Sequence, residues 1–190
     1  MIIREAKLED AQGLAYCLVT TFMESHKGQI AEGELQARRE QWTVDISRQN
    51  WERCLREIEA TENCEMSLYV AESETGEIVG MCFGRLTEGF VDPKQRAIEV
   101  HVLYILSSHQ RQGIGHRLLY AILEQLKPRG AEALQLTVLQ ANTSAQKFYE
   151  AIGGTQVGER EEEEYGYSAS LWVYSWHPLE TFLKPSPYPS

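Results

Sequence analysis

No stretch of this sequence stays apolar for the ~20 residues that a membrane-spanning helix needs. The opening Met1-Ile2-Ile3-Arg4-Glu5-Ala6-Lys7 also turns polar too early for the core of a secretory signal. A cytoplasmic protein that does not engage the membrane is expected. Cysteine is sparse: Cys17, Cys54, Cys64 and Cys82 form no CxxC pair and have no histidine at metal-ligand spacing. Reduced thiols are expected, with neither a disulfide nor a bound metal. Positive charge is in the minority, with 18 basic against 28 acidic side chains and a formal net charge of −10. That balance repels phosphate backbones, so no nucleic-acid partner is expected, and it favours the approach of cationic ligands. Surplus carboxylates also serve solubility, so the charge is weak support for an amine substrate. Part of it is local, because Glu159 and Glu161 to Glu164 form a run typical of a solvated strand end or loop. Proline is rare until the end, where four of the six fall in 178–190. That segment is read as an extended tail after a single domain over 1–177.

Periodicity places the elements. Ile2 to Arg4 has the character of a short strand. A helix follows from Leu8 to about Glu24, with Ala11, Leu14, Leu18 and Phe22 near one face. The charged stretch from His26 to Ala60 is helical. Its Trp51, Cys54, Leu55 and Ile58 fall at i, i+3, i+4 and i+7 on a helix for which Ser47 is the expected cap. From Met66 the period changes to two: Ser67 to Glu72 and Glu77 to Leu86 form a hairpin through Thr75-Gly76, and Ala97 to Leu106 is an apolar strand. A helix from about Gly113 to Lys127, a strand Ala133 to Leu139 and a helix from Asn142 to Ile152 come next. Two strands close the order, the second being the alternating Ser168 to Trp176. This succession predicts an α/β fold, a mixed sheet covered by helices.

The most informative residues are His109-Gln110-Arg111-Gln112-Gly113-Ile114-Gly115-His116, between the apolar strand and an amphipathic helix. A helix start offers unpaired N–H groups and the positive end of the dipole. Glycines at 113 and 115 let a pyrophosphate approach that backbone closely. Arg111, His116 and Arg117 add positive charge at the rim. A dinucleotide fingerprint would need Gly or Ala at Leu118, and a P-loop would need Gly-Lys-Ser/Thr at Gly115-His116-Arg117, so neither applies. Alone, the two glycines are equally consistent with a tight strand-to-helix turn.

Gln110-x-x-Gly113-x-Gly115, after Tyr104-Ile105-Leu106, resembles the Q/R-x-x-G-x-G/A signature of the GNAT superfamily of N-acetyltransferases. Asn142-x-x-Ala145-x-x-Phe148-Tyr149-Glu150-x-x-Gly153 resembles that family's following helix, and it begins 27 residues after Gly115. Gly153-Gly154 departs from the family's frequent Gly-Phe. The resemblance implies a central, mostly antiparallel sheet of six to seven strands flanked by helices. It also implies transfer of an acetyl group from acetyl-CoA, a cosubstrate, to a primary amine of a small molecule or peptide within a ternary complex.

By the same resemblance Gln110, Arg111, Gln112, Gly113, Ile114, Gly115 and His116 would hold the pyrophosphate. Main-chain groups of Leu103, Tyr104 and Ile105 would hold the pantetheine arm and the oxyanion, provided this strand splays from Ala133 to Leu139. Glu99 is the nominated base, with His101 as the alternate. By the two-residue strand period, residues 99, 101 and 103 would share one face. Tyr149 is the nominated acid, placed near the thioester sulfur. Seven residues turn ~700°, so Tyr149 and Asn142 would point at one cofactor. Tyr16, Phe22, Trp42 and Trp51 would wall the acceptor side, although aromatics at helical spacing are more often core. Relatives often pair through their sheets, and Ser168 to Trp176 could serve a homodimer contact. A non-catalytic acyl-CoA-binding module is the alternative from a different class.

Overall fold

The computed structural model describes residues 1–164 and 167–184. Seven strands form one sheet: β1 (Ile2–Glu5), β2 (Met66–Glu72), β3 (Ile78–Glu88), β4 (Arg96–Ile105), β5 (Ala133–Leu139), β6 (Thr155–Glu164) and β7 (Tyr167–Trp176). Their spatial order is β1-β2-β3-β4-β5-β7-β6. Every pairing is antiparallel except that of β4 with β5. Among the described residues five α-helices flank the sheet: α1 (Ala11–Ser25), α2 (Glu32–Gln41), α3 (Val44–Ala60), α4 (Ile114–Leu126) and α5 (Thr143–Ala151). The expected mixed sheet under helices is present. Among the described residues no helix is long and apolar enough to cross a membrane.

The helices divide the core in two. The apolar face of α4, including Leu118, Leu119 and Ile122, lies on one side of the sheet, where Tyr149 of α5 and Ile152 just after it join it. On the other side Leu14 of α1 and Trp51 and Leu55 of α3 pack on Leu68, Val70 and Met81. Such period-3.6 stripes against period-2 strands are the pattern that the sequence carries.

Local boundaries differ from expectation in four places. Asp10 accepts from the Lys7 N–H (2.7 Å) and from Arg4 (2.7 and 2.8 Å), which holds Leu8–Asp10 in a 3-10 turn and starts α1 at Ala11. The stretch read as one helical region breaks at Trp42, and α3 is capped by Thr43, whose Oγ1 accepts from the Ile46 N–H. Ser47 is buried inside that helix instead. β7 lies inside the sheet, paired with β5 over Leu171–Trp176 and with β6 on its other side. The chain after β7 also returns to the core: Leu179 and Phe182 are buried, and the Leu183 N–H reaches the Ile152 carbonyl at 3.1 Å. The remainder of the expected tail, 185–190, lies outside the described residues.

Close contact of α4 with the sheet depends on Gly84 of β3, where a Cβ would stand 2.9 Å from Ile122 Cγ2. Gly84→Ala therefore forces the helix outward. A loss of about 1–3 kcal/mol is expected from this overpacking, read as a lower urea midpoint with an unchanged m-value.

Candidate active site

Strands β4 and β5 run side by side from Ala97↔Ala133 to Val100↔Leu136 and pair no further. Beyond that point β4 follows β3 as far as Gly80↔Ile105, while β5 follows β7 as far as Leu139↔Leu171. The two strands therefore part, as the resemblance required. Because strand amides alternate in direction, the parting leaves main-chain groups of 101–105 without a β5 partner on that side. The gap opens into a cleft of about 1100 Å³.

A bulge accompanies the split. Phe83 pairs with Val102 and Gly84 with Val100, which leaves His101 as an extra residue with no partner on β3. An inserted residue breaks the two-residue alternation. Ile98 and Val100 face the α4 core before the bulge, and Leu103 and Ile105 face it afterwards. Val102 and Tyr104 consequently turn toward α1. Residues 99 and 101 do meet, but Leu103 faces the opposite side, because the shared-face expectation assumed unbroken pleating.

At the foot of the cleft the strand-to-helix turn is built largely as expected. Arg111 and Gly113 adopt left-handed φ values of 63° and 73°, and Gly113 precedes the first turn of α4. A Cβ on Gly113 would meet nothing within 4 Å, so the space above it is open. One on Gly115 would stand 3.3 Å from both Ile105 Cδ1 and Phe148 Cζ, so a larger residue would crowd the floor. Gln110 turns its Nε2 to the Ile105 carbonyl (2.9 Å), tying the turn to the end of β4. Ile114 buries its side chain in the core, leaving only its main chain for a ligand.

Leu103, Tyr104, Ile105, Gln110, Arg111, Gly113, Ile114, Gly115, Asn142 and Tyr149 all line the cleft. Three nominated residues do not: Glu99, Gln112 and His116. Gln112 points to solvent. His116 donates from Nε2 to the Leu183 carbonyl and lies 5.4 Å from the Phe182 ring. Burial also pushes its pKa down, and it does not line the cleft where the positive charge was expected. Lys147 of α5 lines the cleft instead, one helical turn beyond Ser144, a role that helix periodicity alone could have suggested.

Glu99 sits behind the wall. Its Oε2 lies 3.2 Å from His101 Nε2 and 3.5 Å from Arg85, while His101 itself lines the cleft. A carboxylate only accepts, so Nε2 carries the proton of that contact, and in the neutral ring the open lone pair is then on Nδ1. Partial burial pushes the Glu99 carboxyl up, but His101 and then Arg85 more than offset this and hold it below the ordinary carboxylate range.

Tyr149 is 8% exposed and sits among Phe148, Tyr174 and Trp176, with ring centroids 5.3–6.0 Å away. Burial pushes its phenol up, so it remains a donor through the neutral range. Asn142 caps α5, its Oδ1 accepting from the Ala145 N–H at 3.1 Å.

The far end of the cleft is walled by the end of α1 and by α2. Phe22 stacks on His26 at 3.9 Å and approaches Trp42 at 5.1 Å. Arg38, 8% exposed, lies 5.0 Å from the Phe22 ring and 4.9 Å from the Trp42 ring, and it donates to Glu34 Oε1 at 2.9 and 3.0 Å. Phe22 and Trp42 thus stand where expected. Tyr16 is exposed on the outer surface and Trp51 is in the α1/α3 core, so neither walls the site. Among the described residues no group of three His, Cys, Asp or Glu is placed to hold a metal.

A sheet split beside a glycine-bearing helix start defines the class of protein, and the comparisons agree with it. The model of the Acetyltransferase (GNAT) family matches residues 32–154, and the chain belongs to that family. It is 46% identical over 48 residues to [Ribosomal protein bS18]-alanine N-acetyltransferase of Haemophilus ducreyi, which covers 25% of this chain and 33% of that protein. It is 29% identical over 92 residues to thialysine N-epsilon-acetyltransferase of Bos taurus, covering 47% and 54%. The matches thus span from a third to about half of these relatives' lengths. In overall fold it is similar to PaiA N-acetyltransferase from Thermoplasma acidophilum in complex with coenzyme A, with a TM-score of 0.69, 15% identity and coverage of 93% and 98%. Ribosomal-protein-alanine N-acetyltransferase from Brucella melitensis gives a TM-score of 0.65 at 19% identity, covering 93% and 99%.

The Glu99 contacts can be checked directly. In a carbon-detected NMR titration the Glu99 midpoint is expected below the ordinary 4.5 and should rise in both His101→Ala and Arg85→Ala. A depressed carboxyl contributes stability above its unfolded pKa and loses it as pH falls. The stability gap between wild type and Glu99→Gln should therefore close in acid.

Proposed function

We propose that the chain transfers an acetyl group from acetyl-CoA to an amine of a small molecule or peptide, by direct attack within a ternary complex. The observation that carries this reading is the parting of β4 and β5 directly above the start of α4. The residues there suit the cosubstrate. Open space over Gly113 and the N–H groups of 111–115 accommodate a pyrophosphate, with Arg111 and Lys147 as counter-charges. The groups of 103–105 that lost β5 as a partner can hydrogen-bond an extended amide arm. The cleft exceeds the ordinary size of a single-ligand pocket, leaving room for an acceptor.

Acetyl-CoA supplies the thioester carbonyl. As the new C–N bond forms and the C–S bond breaks, one proton must leave the amine and one must reach the departing sulfur. His101 is the group on the cleft wall that can take the first, at Nδ1. Glu99 is a positioning residue that fixes the ring through Nε2 and stabilises the imidazolium, as a carboxylate behind a catalytic histidine does elsewhere. Tyr149, neutral and screened from water, offers its hydroxyl to the sulfur.

Calorimetry with acetyl-CoA, with NAD and ATP as controls, tests the first half. Micromolar binding of acetyl-CoA alone is expected. Free-thiol release with an amine tests the second. Tyr149→Phe keeps the ring packing and should lower kcat by about 10²-fold without loss of CoA binding. His101→Ala should lower kcat/KM similarly near pH 7 and recover partly as pH rises, because more of the acceptor is then already neutral. Binding without turnover of any amine would establish the non-catalytic module instead, and no binding would reduce Gly113 and Gly115 to a tight turn.

A further inference from the structure

The charges left over along the cleft are sorted by end. Arg111, in the turn before α4, and Lys147, next to the Phe148 that meets Gly115, line the cleft toward α4, whereas Glu24, near the end of α1, and Glu162 of β6, paired with the Ala169 that shares a second hollow with Gln29 and Glu34, line it toward α1 and α2. None of the four has an ion-pair partner among the described residues. Arg38 does not reverse the sign at the second end, because Glu34 answers its charge at 2.9 Å. His26 turns its Nδ1 back to the Phe22 carbonyl at 2.9 Å, and burial pushes its pKa down. The cleft therefore runs from positive, beside the proposed pyrophosphate position, to negative, where the acceptor would enter.

Two buried oxygens at the negative end point the same way. Gln29 Oε1 and Thr21 Oγ1 have no hydrogen-bond partner, and Thr21 is 4% exposed. The Cys17 thiol beside Thr21 is a weak donor and is turned to the Tyr104 carbonyl at 3.9 Å. A buried acceptor without a donor is costly, and both residues border the cleft. Phe22 and Trp42 add aromatic surface there, which attracts cations.

Resting on the acetyl-transfer reading, we infer that the acceptor carries a second cationic group, held between Glu24 and Glu162 while its other nitrogen reacts. A diamine or polyamine has this chemistry, as does a lysine flanked by basic residues in a peptide. The small diamine suits the site better, because Gln29, Thr21 and the two carboxylates all line the same cleft as the proposed thioester position, within the reach of a short chain.

The test compares 1,4-diaminobutane with n-butylamine, which has the same chain length and lacks the second charge, using the full chain and thiol release at saturating acetyl-CoA. The diamine should show kcat/KM at least tenfold higher, an advantage that shrinks at high salt. In the double variant Glu24→Gln, Glu162→Gln the ratio should collapse toward one. A basic lysine peptide that outpaces the diamine would support the same two-charge recognition with a polypeptide as its source. Equal kcat/KM for the two amines, or no turnover of the diamine by protein that binds acetyl-CoA in calorimetry, overturns this inference and leaves the cosubstrate reading intact. Absence of acetyl-CoA binding overturns both.

Discussion

The parting of two parallel strands after a short run of pairs is the constraint on which the rest of this structure depends. β4 is bound to β3 through Ile105, and β5 is bound to β7 through Leu139, so each strand has a full antiparallel partner on its outer side. The inner edges can then separate without either strand losing its place. Orphaned carbonyls at the strand ends are the usual penalty for such a split. Here glutamines from the following elements limit it. Gln110 donates to the Ile105 carbonyl, and Gln146 donates to those of Leu139 and Gln140 at 3.1 and 2.9 Å. Gln110, which reads as a ligand-facing residue in the motif, also joins the end of β4 to the turn that starts α4.

The bulge at His101 complements the split. By inserting one residue it turns Leu103 and Ile105 toward α4 and leaves Tyr104 facing α1, so both layers of helices reach the same cleft. It also brings Glu99 and His101 onto the same contact, which unbroken alternation would achieve only with Leu103 alongside them. The insertion thus leaves the carboxylate and imidazole together at the cleft wall while Leu103 turns into the opposite core.

The parts legible in the sequence were those with local causes. The phosphate-type turn needs only Gly113, Gly115 and a helix start, all within a few residues, and the structure builds it accordingly. Strand and helix order followed from periodicity for the same reason. What escaped is non-local. Nothing in the stretch Ile98 to Leu103 reveals the bulge, because it is defined by pairing to residues 83 and 84. His116 looks like a rim cation on its own helix, yet its partner is Leu183, 67 residues later. Tyr16 and Trp51 have the composition of a binding wall, but one faces outward and the other fills a core whose opposite side is β2 and β3. Ser47 and Thr43 are both competent caps, and only the break at Trp42 decides between them.

The end of the cleft formed by α1 and α2 shows how a charged group can shape a wall without lending it a net charge. Arg38 is buried, which is costly for an unpaired guanidinium. Glu34, one turn earlier on α2, satisfies it from within the same helix, and the rings of Phe22 and Trp42 lie close to its flat guanidinium. Glu34 and Arg38 are thus neutral as a pair, and what they supply is placement: α2 is fastened to the end of α1 through Phe22, and Phe22 in turn lies 6.5 Å from Tyr104 on β4. The wall that would select an acceptor is therefore tied to the strand whose departure from β5 creates the cleft. On the two-charge proposal, acceptor preference would be set by Glu24, Gln29 and Glu162, which carry no part of that tie.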